Sequence, residues 1–282
     1  MVDLPSQDRI DAEDIRQRAR QTNYDWYLAA LLAPRAARAD LLVLAAFSGE
    51  VARIPSAVSE PMMGAIRLQW WRDVLDQPAG ATIGHPLADA LRELIARHRL
   101  TKAHLHAQID AAEQALQSEP FEDRAALSNH FGKAWGSRFR LAAECLRGTD
   151  ELVSRDAIFC AAEAYGCARL AAWTAAAKAS GGDIASWLHV GAPGSSRGSS
   201  PASPHGASSA IEPATLATEA TASLTRLRQL WGAVPRPQRP AFLPAAIVEP
   251  YLRVSQGPAR GDEPIELARA WRLLVANWRG VV

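Results

Sequence analysis

Several things are scarce in this chain. The three cysteines, Cys145, Cys160 and Cys167, are an odd number without CxxC spacing. Their apolar, helix-like surroundings indicate ordinary buried thiols in a reducing compartment rather than a metal or redox centre. Charge of one sign is missing too. Lys and Arg total 31 against 30 Asp and Glu, and the net charge of +1 offers no bulk field to attract nucleic acid or an anionic surface. No apolar run approaches the ~20 residues needed to cross a bilayer, because Arg, Asp or Glu interrupts each one. The first stretch, "MVDLPSQDRIDAEDIRQRAR", is charged throughout and carries acids, so it reads as neither a signal peptide nor a typical transit peptide. The common catalytic patterns are also missing: GxxxxGK[ST], GxGxxG between strand and helix, HExxH, and GxSxG. His104 and His106 lie two apart, which on a helix points them in different directions and gives no zinc pair.

Helical periodicity is what the chain does have. At 282 residues it is long enough for one large all-helical domain or two small ones. From Asp25 to Phe47, Leu28, Leu31, Leu32, Leu42, Val43, Ala46 and Phe47 recur at three- and four-residue spacings, with Pro34 marking a break between two helices. In "MMGAIRLQWWRDVLDQ", Ile66, Trp70 and Val74 sit four apart, predicting a buried stripe flanked by Arg67, Arg72 and Asp73. "RAALSNHFGKAWGSRFRLAAECLRG" reads as one further helix. The Ala-rich "RDAIFCAAEAYGCARLAAWTAAAKA" is expected in the middle of the fold, where small residues let helix axes approach. Residues 191–209, "GAPGSSRGSSPASPHGASS", are Gly, Ser and Pro with no large apolar side chain and read as a flexible surface insertion. The segment C-terminal to it is too short for an independent core, so residues 1–282 are taken as a single domain.

The pieces "YLAALLAPRAARADLLVLAAFSGEVARI", "EPMMGAIRLQWWRDVLD", "HPLADAL" and "RPAFLPAAIVEPYL" resemble the squalene/phytoene synthase family from about Tyr24 to the last helix. The resemblance implies an all-α, isoprenoid-synthase-type bundle around a central apolar cavity. Enzymes of that family join two prenyl diphosphates, with Mg²⁺ neutralising the departing diphosphate. Mg²⁺ wants carboxylate oxygens, and two aspartates four apart on each of two helices supply them.

Here the first aspartate motif is occupied by Ala52, Arg53 and Ser56. Arg53 carries the wrong sign: at about 4 Å and an effective dielectric near 20, each unit-charge pair is repulsive by roughly 4 kcal/mol. The second motif should come after "AYGCARL", but "AAWTAAAKASGGD" offers no Asp before Asp183. The acid pairs Asp89/Glu93 and Glu119/Asp123 are read as solvated surface. Glu50, a turn from Arg53, is read either as its ion-pair partner or, with Arg53, as facing a remnant cavity. Trp70 and Trp71 are about 100° apart on a helix, so one lines that cavity or packs inward while the other packs elsewhere, with Arg67 beside them.

Glu50, Arg53, Arg67, Trp70, Trp71 and Arg72 are therefore the candidate cavity- or partner-binding residues, with no catalytic residue and no metal ligand assigned. The resemblance is strongest to the branch of the family that lacks the aspartate motifs and acts in assembly of respiratory complex I. It implies a catalytically degenerate protein with respiratory-complex subunits as partners. No nucleic acid, cofactor or transmembrane segment is expected, and the place is the cytoplasm or the inner face of the membrane. Two alternatives stand beside it. One is an active Mg²⁺-dependent prenyltransferase, or one binding diphosphate through Arg53, Arg67 and Arg72. The other is a carrier holding an apolar isoprenoid or lipid ligand.

Overall fold

The computed structural model describes residues 7–78, 82–117, 121–147, 153–179, 189–190, 209–210, 212–257 and 264–282. They form twelve α-helices. In chain order these are α1 (Gln7–Thr22), α2 (Tyr24–Leu32), α3 (Arg38–Ala57), α4 (Pro61–Asp76), α5 (Pro86–His98) and α6 (Lys102–Gln117). Next come α7 (Arg124–Phe131), α8 (Ser137–Cys145), α9 (Arg155–Ala179), α10 (Pro213–Gln229), α11 (Val248–Gln256) and α12 (Glu266–Arg279). A two-residue antiparallel bridge, β1 (His189–Val190) with β2 (Ser209–Ala210), accompanies them. Apart from Ser209, the stretch 191–209 lies outside the described residues.

The helix boundaries have local causes. Pro34 stands between α2 and α3, where a short 3₁₀ turn, Arg35–Ala37, reverses the chain. Asp123 starts α7 by accepting the Ala126 N–H at 2.7 Å. Asp89, expected on a solvated face, accepts the Ile83 and Gly84 N–H groups at 2.8 and 3.0 Å and so fixes the entry to α5. The helix expected from Arg124 to Cys145 runs without a break, with a π bulge at Gly132–Gly136 between its α7 and α8 parts. That wider turn sets Trp135 in edge contact with the Tyr165 ring, centroids 5.1 Å apart. Between Arg236 and Ile247 the chain runs as a 3₁₀ helix. Pro240 and Pro244 have no N–H to give to an α ladder there.

Helix α9 occupies the middle, as its alanines predict. Residues from Ala157 to Thr174 are buried on nearly every face, and α9 lies against α10, α11 and the π turn. Glycine permits close approach at two crossings of α9 and α3. A Cβ on Gly166 would sit 2.7 Å from the Phe131 ring of α7, and one on Gly49 would fall 2.0 Å from Thr22 Oγ1 of α1. On the far side α3 packs against α1, α2 and α6, and α4 packs against α6. The aromatic pairs Trp26–Phe139, Phe47–Trp71 and Phe139–Phe242, with centroids 4.9, 5.1 and 5.7 Å apart, link the helices of the core.

Candidate functional site

The positions of the first aspartate motif lie in the last two turns of α3. Ala52 and Arg53 are exposed, as is Ser56, whose Oγ donates back to the Arg53 carbonyl at 3.1 Å. Of the two readings of Glu50, the ion pair with Arg53 is not formed. Glu50 faces α1, with Arg18 Nη1 at 3.7 Å, because α3 packs along α1 and turns that face of its helix inward.

Helix α4 also differs from its expected stripe. Gly64, Leu68, Trp71, Val74 and Leu75 are buried, whereas Met62, Met63, Ile66 and Trp70 face outward. Gly64 favours this orientation. A Cβ there would lie 2.6 Å from a methyl of Leu116 of α6, so the glycine lets this face pack close against that helix. Trp71 therefore packs on Phe47, while Trp70 is held edge-on between Trp71 and His85, centroids 4.8 and 5.3 Å away. Arg67 is exposed on the same outer side. Arg72 reaches α6 and donates to Asp110 at 3.0 Å and Glu113 at 2.6 Å. Those two carboxylates hold its guanidinium above its ordinary pKa even though burial pulls the other way. Arg72 is a tie between helices; no contact joins it to Arg53 or Arg67 among the described residues.

The residues at the clamp positions do not fit a magnesium cluster. Ala52 and Ser56 bring no charge, Arg53 brings a positive one, and on α9 the corresponding stretch holds Trp173, Thr174 and alanines. Among the described residues no three His, Cys, Asp or Glu side chains come together as a metal site. Lys178, near the end of that stretch, pairs with Glu212 at 2.8 Å.

Polar chemistry in the interior lies elsewhere, around a residue that periodicity does not single out. Asp25, in α2, is 1% exposed. The hydroxyls of Tyr165 and Tyr251 donate to its Oδ2 at 2.6 and 2.8 Å. Arg269 donates to Oδ1 at 3.1 Å, and Arg169 approaches Oδ2 at 3.4 Å. Four helices, α2, α9, α11 and α12, thus meet on one carboxylate. Burial and the Asp25 charge push the Tyr165 hydroxyl well above its usual pKa, so it stays a donor.

Next to this hub Arg138 of α8 is buried over the face of Trp135, 4.3 Å from the ring centroid, and donates to the Ser48 carbonyl at 3.2 Å. Burial pulls its pKa down to about 9. A second buried carboxylate, Glu163, accepts from Arg124 and Ser128, and Arg124 also pairs with Glu219 at 2.8 Å. The three cysteines are free and buried, and burial pushes the Cys145 and Cys167 thiols up, away from reactive thiolate. In sequence the signal for the hub was weak: one acid inside the aromatic "NYDWY", and Arg269 on the same helix face as Leu273 and Ala276.

An all-α bundle with the positions of the metal clamp taken by alanine, arginine and serine defines a class: an isoprenoid-synthase-type fold with an altered site. The model of the Squalene/phytoene synthase family matches residues 19–176, and the chain belongs to that family. It is similar to NADH dehydrogenase (ubiquinone) complex I, assembly factor 6, of Bos taurus, with 33% identity over 128 residues, 45% of this chain and 38% of that protein. The Homo sapiens protein of the same name is 30% identical over the same shares. The match thus spans well under half of these relatives' length. Squalene synthase HpnC from Alicyclobacillus acidocaldarius shares the fold over 98% of this chain and 97% of its own, with a TM-score of 0.62 and 17% identity.

Proposed function

We propose that this protein is a non-catalytic member of its family that binds subunits of a respiratory complex during assembly. The observation that carries the reading is the occupancy of the clamp: ionising an allylic diphosphate without a metal forfeits the main electrostatic stabilisation of the departing charge, and here an arginine stands among the positions that would hold the metal. The likeness to complex I assembly factor 6 supplies the kind of partner. The outer face of α4, with Met62, Met63, Ile66 and Trp70 beside Arg67, together with Arg53 at the end of α3, is the candidate partner-binding surface. Exposed apolar side chains next to arginine are the composition of interface hot spots. In this reading the protein acts in the cytoplasm or at the inner face of the membrane.

Affinity capture of the full chain from its own host, with respiratory-complex subunits scored by mass spectrometry, tests it. The expected result is recovery of those subunits and a loss of about tenfold for Ile66→Glu, which replaces an exposed apolar contact by a charge. Mg²⁺-dependent diphosphate release from farnesyl or geranylgeranyl diphosphate by the unmodified protein overturns the reading. An apolar isoprenoid that co-purifies in stoichiometric amount, with no subunits captured, favours a carrier instead.

A further inference from the structure

Helix α12 is apolar on two opposite faces, and the fold covers one of them. Arg269, Leu273 and Ala276 turn inward. Leu267, Trp271, Leu274 and Trp278 turn outward and are 78, 68, 49 and 85% exposed, and Val281 continues the line just past the helix end. Their spacing of four, three, four and three places them within about 80° of one another around the helix, and Leu267 to Trp278 spans about 17 Å. No helix among the described residues is long and apolar enough to cross a membrane.

The sequence that carries the ridge is rich in arginine. Residues 226–282 hold nine arginines and four acids, a net of +5 in a chain whose total is +1, with Arg269 alone of the nine turned inward onto Asp25 among the described residues. At the C-terminal end of α12 the arginines converge. Arg228 and Arg272 share Glu249, at 2.6 and 2.8 Å, and Arg228 also donates to the Val282 carbonyl at 2.8 Å. Arg253 and Arg279 are exposed nearby. Burial raises the Glu249 pKa, but the hydrogen bond from Arg228 and the charges of Arg272, Arg228 and Arg253 outweigh it and leave the carboxyl below its ordinary value. Even fully ionised, one carboxylate leaves this cluster positive.

We propose that the outer face of α12 seats the protein on an anionic lipid bilayer, with Trp271, Trp278 and the leucines in the headgroup boundary and Arg253 and Arg279 on lipid phosphates. Tryptophan with its polar N–H and apolar ring suits that boundary, and arginines at the rim add attraction to anionic lipid. A second copy of this chain is a poor occupant, because it would bring the same arginines face to face.

The test is flotation of the full chain with vesicles of phosphatidylcholine, with and without phosphatidylglycerol. It compares the unmodified protein, Trp271→Ser with Trp278→Ser, and Arg253→Gln with Arg279→Gln. The unmodified protein is expected to float with phosphatidylglycerol vesicles and to be released as salt rises from about 0.05 to 0.5 M. Each double variant is expected to bind about tenfold more weakly. Because all four side chains are exposed, thermal melting of the variants is expected to match the unmodified protein, which separates loss of binding from loss of fold. No flotation at low salt overturns the proposal. So does equal binding to pure phosphatidylcholine by the arginine variant, or light scattering that shows an oligomer lost on Trp271→Ser while vesicles are ignored. Capture of an acidic protein through the same face without vesicle binding overturns it as well. None of these outcomes depends on which subunits the α4 face recovers.

Discussion

Two stretches of this molecule differ in kind: the end of α3, where the family's first aspartate motif would lie, and the middle of α9, just before the stretch that corresponds to the second. The last two turns of α3 carry Ala52, Arg53 and Ser56 at the surface, with one short side-chain hydrogen bond among them. The middle of α9 carries Glu163, Tyr165 and Arg169, and each is bonded to residues on other helices. Polar groups persist where their partners persist. A buried charge that loses its partner costs several kcal/mol, so such a group cannot drift one substitution at a time. An exposed position carries no such penalty.

If that contrast is right, the largest effect lies at the hub. Asp25→Ala leaves Arg169, Arg269 and the hydroxyls of Tyr165 and Tyr251 without their shared acceptor in a buried site. Breaking a buried pair in this way costs ~3–5 kcal/mol. Urea or thermal unfolding should record a loss of that size. Stability within experimental error of the unmodified protein would mean that the hub is not what joins the two ends of the chain.

The α7–α9 wall next to it supplies a pH-dependent case. His130 is largely enclosed, against Phe121 at 5.3 Å and hydrogen-bonded to Gln114 Oε1 at 3.2 Å. Burial, helped by the Lys133 charge, pulls its pKa down to about 4. The unfolded chain binds this proton near the ordinary value of about 6.5. Between those values the unfolded state holds more protons than the folded state, so stability is full above about pH 6.5 and is lost as pH falls toward 4. The expected loss from this residue is roughly 1–3 kcal/mol. Comparing His130→Gln with the unmodified chain across that window isolates the contribution. Parallel stability curves would refute it.

Gly166 sharpens the contrast by sterics alone. In a helix interior, Gly→Ala gains ~1 kcal/mol in propensity, but the new methyl would meet the Phe131 ring at 2.7 Å. Overpacking of a buried site costs ~1–3 kcal/mol, so a net loss of about 1 kcal/mol is expected. Adding Phe131→Leu should recover most of it. A stabilised single variant would show that the α7–α9 contact is looser than it looks.

Much of the fold was legible because it depends on period and on breakers: the helices, the stop at Pro34 and the central place of the alanine-rich α9. The faces were harder to read. Helix α4 has two apolar stripes of similar strength, and sequence spacing ranks Ile66–Trp70–Val74 as highly as Gly64–Leu68–Trp71–Leu75. The partner, Leu116 reaching into the space at Gly64, favours the second. The hub was harder still. Asp25 meets Tyr165, Tyr251 and Arg269 at sequence separations of 140, 226 and 244, and no local pattern reports such pairs. Along α3 the reverse held: the substitutions could be read directly, because a missing carboxylate is a property of the sequence rather than of packing.

The smallest effect is expected on that exposed wall. Ala52→Asp with Ser56→Asp restores two carboxylates four apart on one helix face, the spacing that lets both reach one cation. Both sites are exposed, so stability should change by less than about 0.5 kcal/mol. Half a clamp beside the Arg53 charge should still hold Mg²⁺ poorly. If the dissociation constant is no tighter than the Mg²⁺ concentration used, stabilisation by the metal is at most RT ln 2, about 0.4 kcal/mol. A clear Mg²⁺-dependent rise in melting temperature for the double variant would show that the α9 wall still contributes ligands.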